Sequence, residues 1–158
     1  MTTKKEEIRT LLNKLQNDPN NRFDVDYLSE KNKNPFEWKA VLEGTQDSIY
    51  ANGFYMLKIV FPENYPISRP NVYFLNKIFH PHVESSSLSC CIHPESHDIL
   101  SVLECVENMF FYYDADISSS YNQLPRQTLE KDKNEFIRIA QQWVREYAKI
   151  EDLAKFYD

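Results

Sequence analysis

The stretch from Phe61 to Ile92 constrains the fold of this chain more than any other. Prolines at positions 62, 66 and 70 bar a helix and keep the segment as a loop. Asn71 to Leu75 then alternates apolar and polar residues as a half-buried strand does. His80-Pro81-His82, a serine-rich turn over Ser85 to Ser87 and two adjacent cysteines, Cys90 and Cys91, complete it. The hydrophobic period is close to two before these cysteines and helical after them. Such a chain keeps its helices apart from its sheet. It also places a thiol-bearing turn where the sheet ends and the helices begin.

Upstream, Ile8, Leu11, Leu12 and Leu15 recur at helical spacing, so residues 3–17 form an amphipathic helix. Thr3 and Glu6 fit a capping box, and Asp18-Pro19 ends the helix. Lys4, Lys5, Arg9 and Lys14 lie on its outer side, as a solvated face or as a basic docking face. A short strand is expected over Phe23–Tyr27. In the next strand Phe36, Trp38, Ala40 and Leu42 alternate with Glu37, Lys39 and Val41. Asn52-Gly53 is a hairpin-type turn signal before a strong strand over Phe54–Phe61. Strands joined this closely make an antiparallel meander.

Downstream, Ile99, Val102, Leu103, Val106, Met109, Phe110 and Tyr113 mark one face of a helix. A polar loop from Asp114 to Pro125 follows. A long last helix is predicted over about 129–150, with Phe136, Ile139, Ala140, Trp143 and Tyr147 inward. The expectation is a single α+β domain over residues 1–158: an N-terminal helix, a four-stranded antiparallel meander, then C-terminal helices.

Composition narrows the function. A net charge of −6 argues against general nucleic-acid binding, which needs clustered Lys and Arg. Two glycines in all leave no phosphate-cradling loop. No apolar run is long enough to span a bilayer, and Met1 to Thr10 lacks the apolar core of a secretory signal. Three cysteines, an odd count, point to a reducing cytoplasmic or nuclear setting.

Taken in order, the motifs resemble those of the ubiquitin-conjugating enzymes along nearly the whole chain. Asp18-Pro19 matches the end of that family's first helix, and Asn34 to Trp38 through Gly44 its first strand. Ile49-Tyr-Ala-Asn-Gly53 resembles its Tyr-x-Gly-Gly turn. Phe61-Pro-Glu-Asn-Tyr-Pro66 with Arg69-Pro70 is close to its most diagnostic loop, Lys77 to Pro81 to the approach to its His-Pro-Asn motif, and Phe136 to Ala148 to its last helix. Three departures stand out. The tripeptide reads His80-Pro81-His82, the cysteine motif reads Leu88-Ser89-Cys90-Cys91-Ile92, and the Trp-Ser-Pro loop after the cysteine is missing.

The resemblance implies a nucleophilic thiol that accepts the C-terminal glycine of ubiquitin, or of a ubiquitin-like modifier, as a thioester. Family spacing from the tripeptide falls on Cys90. Alternation favours Cys91, because Cys90 and Ile92 would then flank it as the two inward residues. Cys91 is preferred and Cys90 remains open; Cys105 belongs to a helix core. In the family the tripeptide's Asn braces the loop and donates to the oxyanion. A ring N–H of His82 can also donate, with a pH dependence that an amide lacks, or His82 can simply brace the loop. His80 reads as a buried, hydrogen-bonded residue of the same motif. Asp116, with Asp114 and Ser118 to Ser120, is a candidate to assist deprotonation of the acceptor lysine.

Pro66, Ile67, Arg69 and Pro70 match the ligase-facing loop, and Lys4, Lys5, Arg9 and Lys14 the helix that meets the activating enzyme. The implied partners are the modifier, the activating enzyme, and a ligase or substrate protein, with no nucleic acid or membrane. No cofactor is implied, since the activating enzyme consumes the ATP. Two other readings compete. One is a catalytically silent binder on the same fold. The other is a zinc module using Cys90, Cys91, His93 and His97, weakened by the lack of a Cys-x2-Cys pair.

Overall fold

The computed structural model describes residues 2–83, 94, 96–114 and 124–158 in full, and residue 123 by its backbone. The chain opens with α1, Lys4–Asn17. Thr3 caps it: the hydroxyl accepts from the Glu6 N–H, and the Glu6 carboxylate takes the Thr3 N–H, as the sequence predicted. Ile8, Leu12 and Leu15 are its buried face. Removing the Leu12 side chain should cost about 2–5 kcal/mol, the usual range for a fully enclosed leucine.

Four strands follow in chain order, each antiparallel to the last: β1 Asp24–Tyr27, β2 Glu37–Glu43, β3 Phe54–Val60 and β4 Asn71–Phe74. Alternation separates the two faces. One register row, Val25, Ala40, Leu57 and Phe74, is buried in the main core. The next row, Asp26, Lys39, Lys58 and Tyr73, points to the opposite face.

Asn52-Gly53 serves a different turn from the one expected. It closes the connection 44–53, in which the Gly44 N–H bonds the Gly53 carbonyl, rather than a two-residue hairpin. Asn52 takes the left-handed conformation (φ 71°), and Gly53 does not. Gly44 is required by space: a Cβ there would sit 1.8 Å from the Tyr50 carbonyl oxygen.

The helices come last: α2 Ile99–Asn108, α3 Gln123–Lys131 and α4 Lys133–Tyr147, followed by a 3-10 helix, Ile150–Phe156. The α2 helix is shorter than its apolar pattern suggested. Met109, Phe110 and Tyr113 reach the core from turns beyond its end. The predicted last helix is broken at Asp132, whose carboxylate accepts from the Asn134 and Glu135 N–H groups and starts α4 as a cap. The buried ridge of α4 is Phe136, Ala140 and Val144, while Ile139, Trp143 and Tyr147 are half-buried. Among the described residues no helix is long and apolar enough to cross a membrane. The observed class is the α+β arrangement predicted.

Candidate active site

The His80-Pro81-His82 turn lies inside the protein, between the end of β4 and the cysteine segment. His80 is fully buried, and His82 is buried with its ring edge-on to that of His80, centroids 5.3 Å apart. The His82 backbone N–H donates to His80 Nδ1 at 3.0 Å. Because Nδ1 accepts, the ring proton sits on Nε2, which donates to the Met109 carbonyl at 2.7 Å. Burial then pushes the His80 pKa down to about 3, which keeps the ring neutral. His80 therefore ties the turn to the end of α2 and carries no charge at neutral pH. Tyr50 stacks on the same ring and donates its hydroxyl to the Phe79 carbonyl at 2.7 Å.

Beyond the cysteines the chain is fastened to the proline loop. Asp98 caps α2 by accepting the Ser101 N–H at 3.0 Å, and Ser96 also donates to its carboxylate. Those hydrogen bonds hold the Asp98 carboxyl below its ordinary pKa. The first helical N–H, that of Ile99, donates to the Tyr65 hydroxyl at 2.9 Å. His97 Nδ1 lies 2.7 Å from the Ile67 carbonyl, so the ring N–H donates there. Two loop residues thus hold the segment that leaves the cysteines, a link that no periodicity in the sequence revealed.

The candidate partner residues separate into exposed and internal groups. Lys5, Arg9 and Lys14 are exposed on α1. Lys4 is committed within the protein, donating to the Tyr65 carbonyl at 2.7 Å and pairing with Glu7 at 2.8 Å. Pro66 and Ile67 are exposed, Ile67 at 78% of its surface, and Arg69 is half-buried. Pro70 is the correction. It is buried at the start of β4, so it shapes the loop and offers no face to a partner.

Cys90, Cys91, Asp116 and Ser118 to Ser120 lie outside the described residues. Asp114 is exposed and 3.6 Å from the Lys133 ammonium. Cys105 is half-buried against the core, as expected of a helix-core residue. The zinc reading rests on a run that is mostly outside the described residues. Among the described ones no group of His, Cys, Asp and Glu could hold a metal ion.

Comparison with known proteins supplies the family. A model of the family "Ubiquitin-conjugating enzyme" matches residues 4–144. Ubiquitin conjugating enzyme E2 B of Dictyostelium discoideum is 28% identical over 118 residues, 72% of this chain and 78% of that protein. Ubiquitin-conjugating enzyme E2 15 of Schizosaccharomyces pombe is 31% identical over 93 residues, 58% of this chain and 54% of its own length. Ubiquitin-conjugating enzyme E2 14 of Arabidopsis thaliana is 40% identical over 68 residues, covering 41% of itself. The chain thus spans about half or less of these last two relatives. The crystal structure of a putative ubiquitin conjugating enzyme from Plasmodium yoelii superimposes with a TM-score of 0.78 at 20% identity, covering 94% of this chain and 97% of that one. At that identity the likeness speaks for the fold, and the family match speaks for descent. From α1 to the last turns of α4, the chain belongs to the ubiquitin-conjugating enzyme family.

Proposed function

We propose that the protein carries ubiquitin, or a ubiquitin-like modifier, as a thioester on Cys91 and passes it to an amine or to a ligase thiol. Cys90 is the alternative nucleophile. The observation that carries this reading is the family match over residues 4–144, with paired cysteines following the buried His80-Pro81-His82 turn. In the first step the cysteine thiolate attacks the modifier's C-terminal carbonyl, and the activating enzyme's thiolate leaves. In the second the acceptor attacks the new thioester, the cysteine thiolate leaves, and an amine acceptor gives up a proton. His82 donates a ring N–H to the tetrahedral oxyanion in both steps, a role that can be worth about 10²–10³ in rate. His80 is a positioning residue that fixes the backbone of His82. Asp116 receives the acceptor's proton.

The exposed part of the proline loop, Pro66 and Ile67, with Lys5 and Arg9 on α1, meets the activating enzyme and a ligase. Arg69, half-buried in the same loop, and Lys14, exposed in the last turn of α1, belong to the same candidate set. The reaction takes place in the reducing cytoplasm or nucleus, where a free thiol persists. A silent, binding-only reading is favoured by two departures from the family pattern, the replacement of the tripeptide's Asn by His82 and the missing Trp-Ser-Pro loop after the cysteines.

Incubation with activating enzyme, ATP and a panel of modifiers separates the two readings. The enzyme reading expects one modifier to give an adduct that reductant removes. The silent reading expects none. Rate–pH profiles of wild type and His82→Asn then test the oxyanion role: the profile should flatten in the variant, and identical profiles would remove that role.

A further inference from the structure

The outer face of the sheet carries a buried amine under an aromatic cover. Lys39 points away from the core, opposite Asp26 on β1 and Lys58 on β3, where the sequence pattern predicts a solvated side chain. It is instead 2% exposed, and among the described residues its ammonium has no hydrogen-bond partner. The Tyr157 ring lies over it, centroid 3.8 Å from Nζ. Tyr157 belongs to the segment after α4, which returns along β3.

That segment is held differently at its two ends. Its root is stitched to the sheet: the Phe54 N–H donates to the Ala148 carbonyl at 2.9 Å, and the Asn76 amide donates to the Phe54 and Tyr147 carbonyls. Met56 and Leu153 are buried yet stand apart from the main core, one on β3 and one on the 3-10 helix. Both lie on the pair of elements, β3 and the 3-10 helix, that pack together on this face. The tip is held by polar groups at the surface. The Asp158 carboxylate accepts from the Ser29 hydroxyl at 2.5 Å and the Glu30 N–H at 2.9 Å. Tyr157 itself remains half-exposed.

We propose that Ile150–Asp158 is a strap whose Tyr157–Asp158 tip opens and closes over Lys39, so that Lys39 is a latent amine released by the strap. The physics favours a weakly held cover. An ammonium away from water loses hydration that the ring face and the charge of the nearby Glu30 carboxylate restore only in part. Opening sacrifices the cation–ring contact and two surface hydrogen bonds, and it returns water to the ammonium. The closed form is therefore favoured over the open one by only on the order of ten- to a hundredfold, whereas the root, with its backbone bonds and buried apolar side chains, stays in place. The clasp also holds the loop after β1 through Ser29 and Glu30, so an open tip loosens that loop as well.

Competitive acetylation of the full chain with a water-soluble active ester, read by peptide mass spectrometry, tests this. Lys5 on α1 serves as the exposed reference. In the wild type Lys39 should react at least ~10-fold more slowly than Lys5, and in Tyr157→Ala/Asp158→Ala within ~3-fold of it, as removal of a local cover requires. Tyr157→Phe keeps the ring and should keep the protection. The Glu30 amide should exchange faster in Asp158→Ala. Lys58, beside Lys39 on β3, should keep its rate in every variant. The proposal is overturned if wild-type Lys39 reacts as fast as Lys5, or if the double variant leaves it protected. It also fails if Lys58 accelerates together with Lys39, since the sheet itself would then have opened.

Discussion

The segment that bears Cys90 and Cys91 enters from the core and leaves at the surface. At the entrance His80, His82 and Val83 are all buried, and the one ring of His80 bonds both the next turn of chain and the end of α2. At the exit Ser96, His97 and Asp98 are exposed, and their hydrogen bonds run to a cap and to the proline loop. The difference teaches how a family can vary its thiol surroundings. An entrance fixed in the core tolerates little change of shape, while an exit whose bonds at Ser96, His97 and Asp98 face solvent can be rebuilt up to Ile99, where a buried bond to the Tyr65 hydroxyl fixes the chain again. The departures from the family pattern follow that division: His82 changes the chemistry of the turn within its buried frame, and the missing Trp-Ser-Pro loop falls on the exit side.

Four measurements can break or sharpen the contrast. The largest effect is expected from His80→Ala, which opens a cavity and strands the Met109 carbonyl and the His82 N–H. Denaturant unfolding should show a loss of about 3–5 kcal/mol. Next is the pH dependence. The unfolded His80 ring takes a proton near its ordinary pKa, and the folded ring refuses it until about pH 3. Stability is therefore complete above the unfolded pKa and falls as the pH is lowered toward the folded one. Between pH 6.5 and 5 the loss should total about 2 kcal/mol, and His80→Gln should flatten that slope. Asp98→Ala should cost about 1 kcal/mol, the usual value of a lost N-cap, visible as a lower unfolding midpoint. His97→Ala should have the smallest effect, within about 0.5 kcal/mol, because its one bond lies at the surface. If His97→Ala proved as damaging as His80→Ala, the contrast between entrance and exit would be wrong.

Much of this architecture was legible from residue patterns. Thr3 and Glu6 announced the first helix start, and Trp38, Ala40 and Leu42 declared the inner face of β2 by alternation. The misses share a cause. Lys39 sits at an outward position, and only a distant piece of chain buries it, which strand periodicity cannot register. The break between α3 and α4 falls within an otherwise helical pattern, where Asp132 acts as a cap rather than an interior residue. Of the candidate site, the buried character of His80 was readable. Its bond to Met109 and that of His97 to Ile67 were not, since both join residues far apart in sequence. Pro70 looked like part of an exposed loop because proline marks turns whether or not they face solvent.

The central claim is that one of the paired cysteines is the nucleophile. Intact-mass analysis of charging reactions with the Cys90→Ala and Cys91→Ala proteins tests it most directly. The account predicts a modifier adduct on Cys90→Ala that reductant removes, and none on Cys91→Ala. Charging of Cys91→Ala alone would move the thioester to Cys90. A wild-type protein that forms no reductant-sensitive adduct with any modifier would contradict the claim outright.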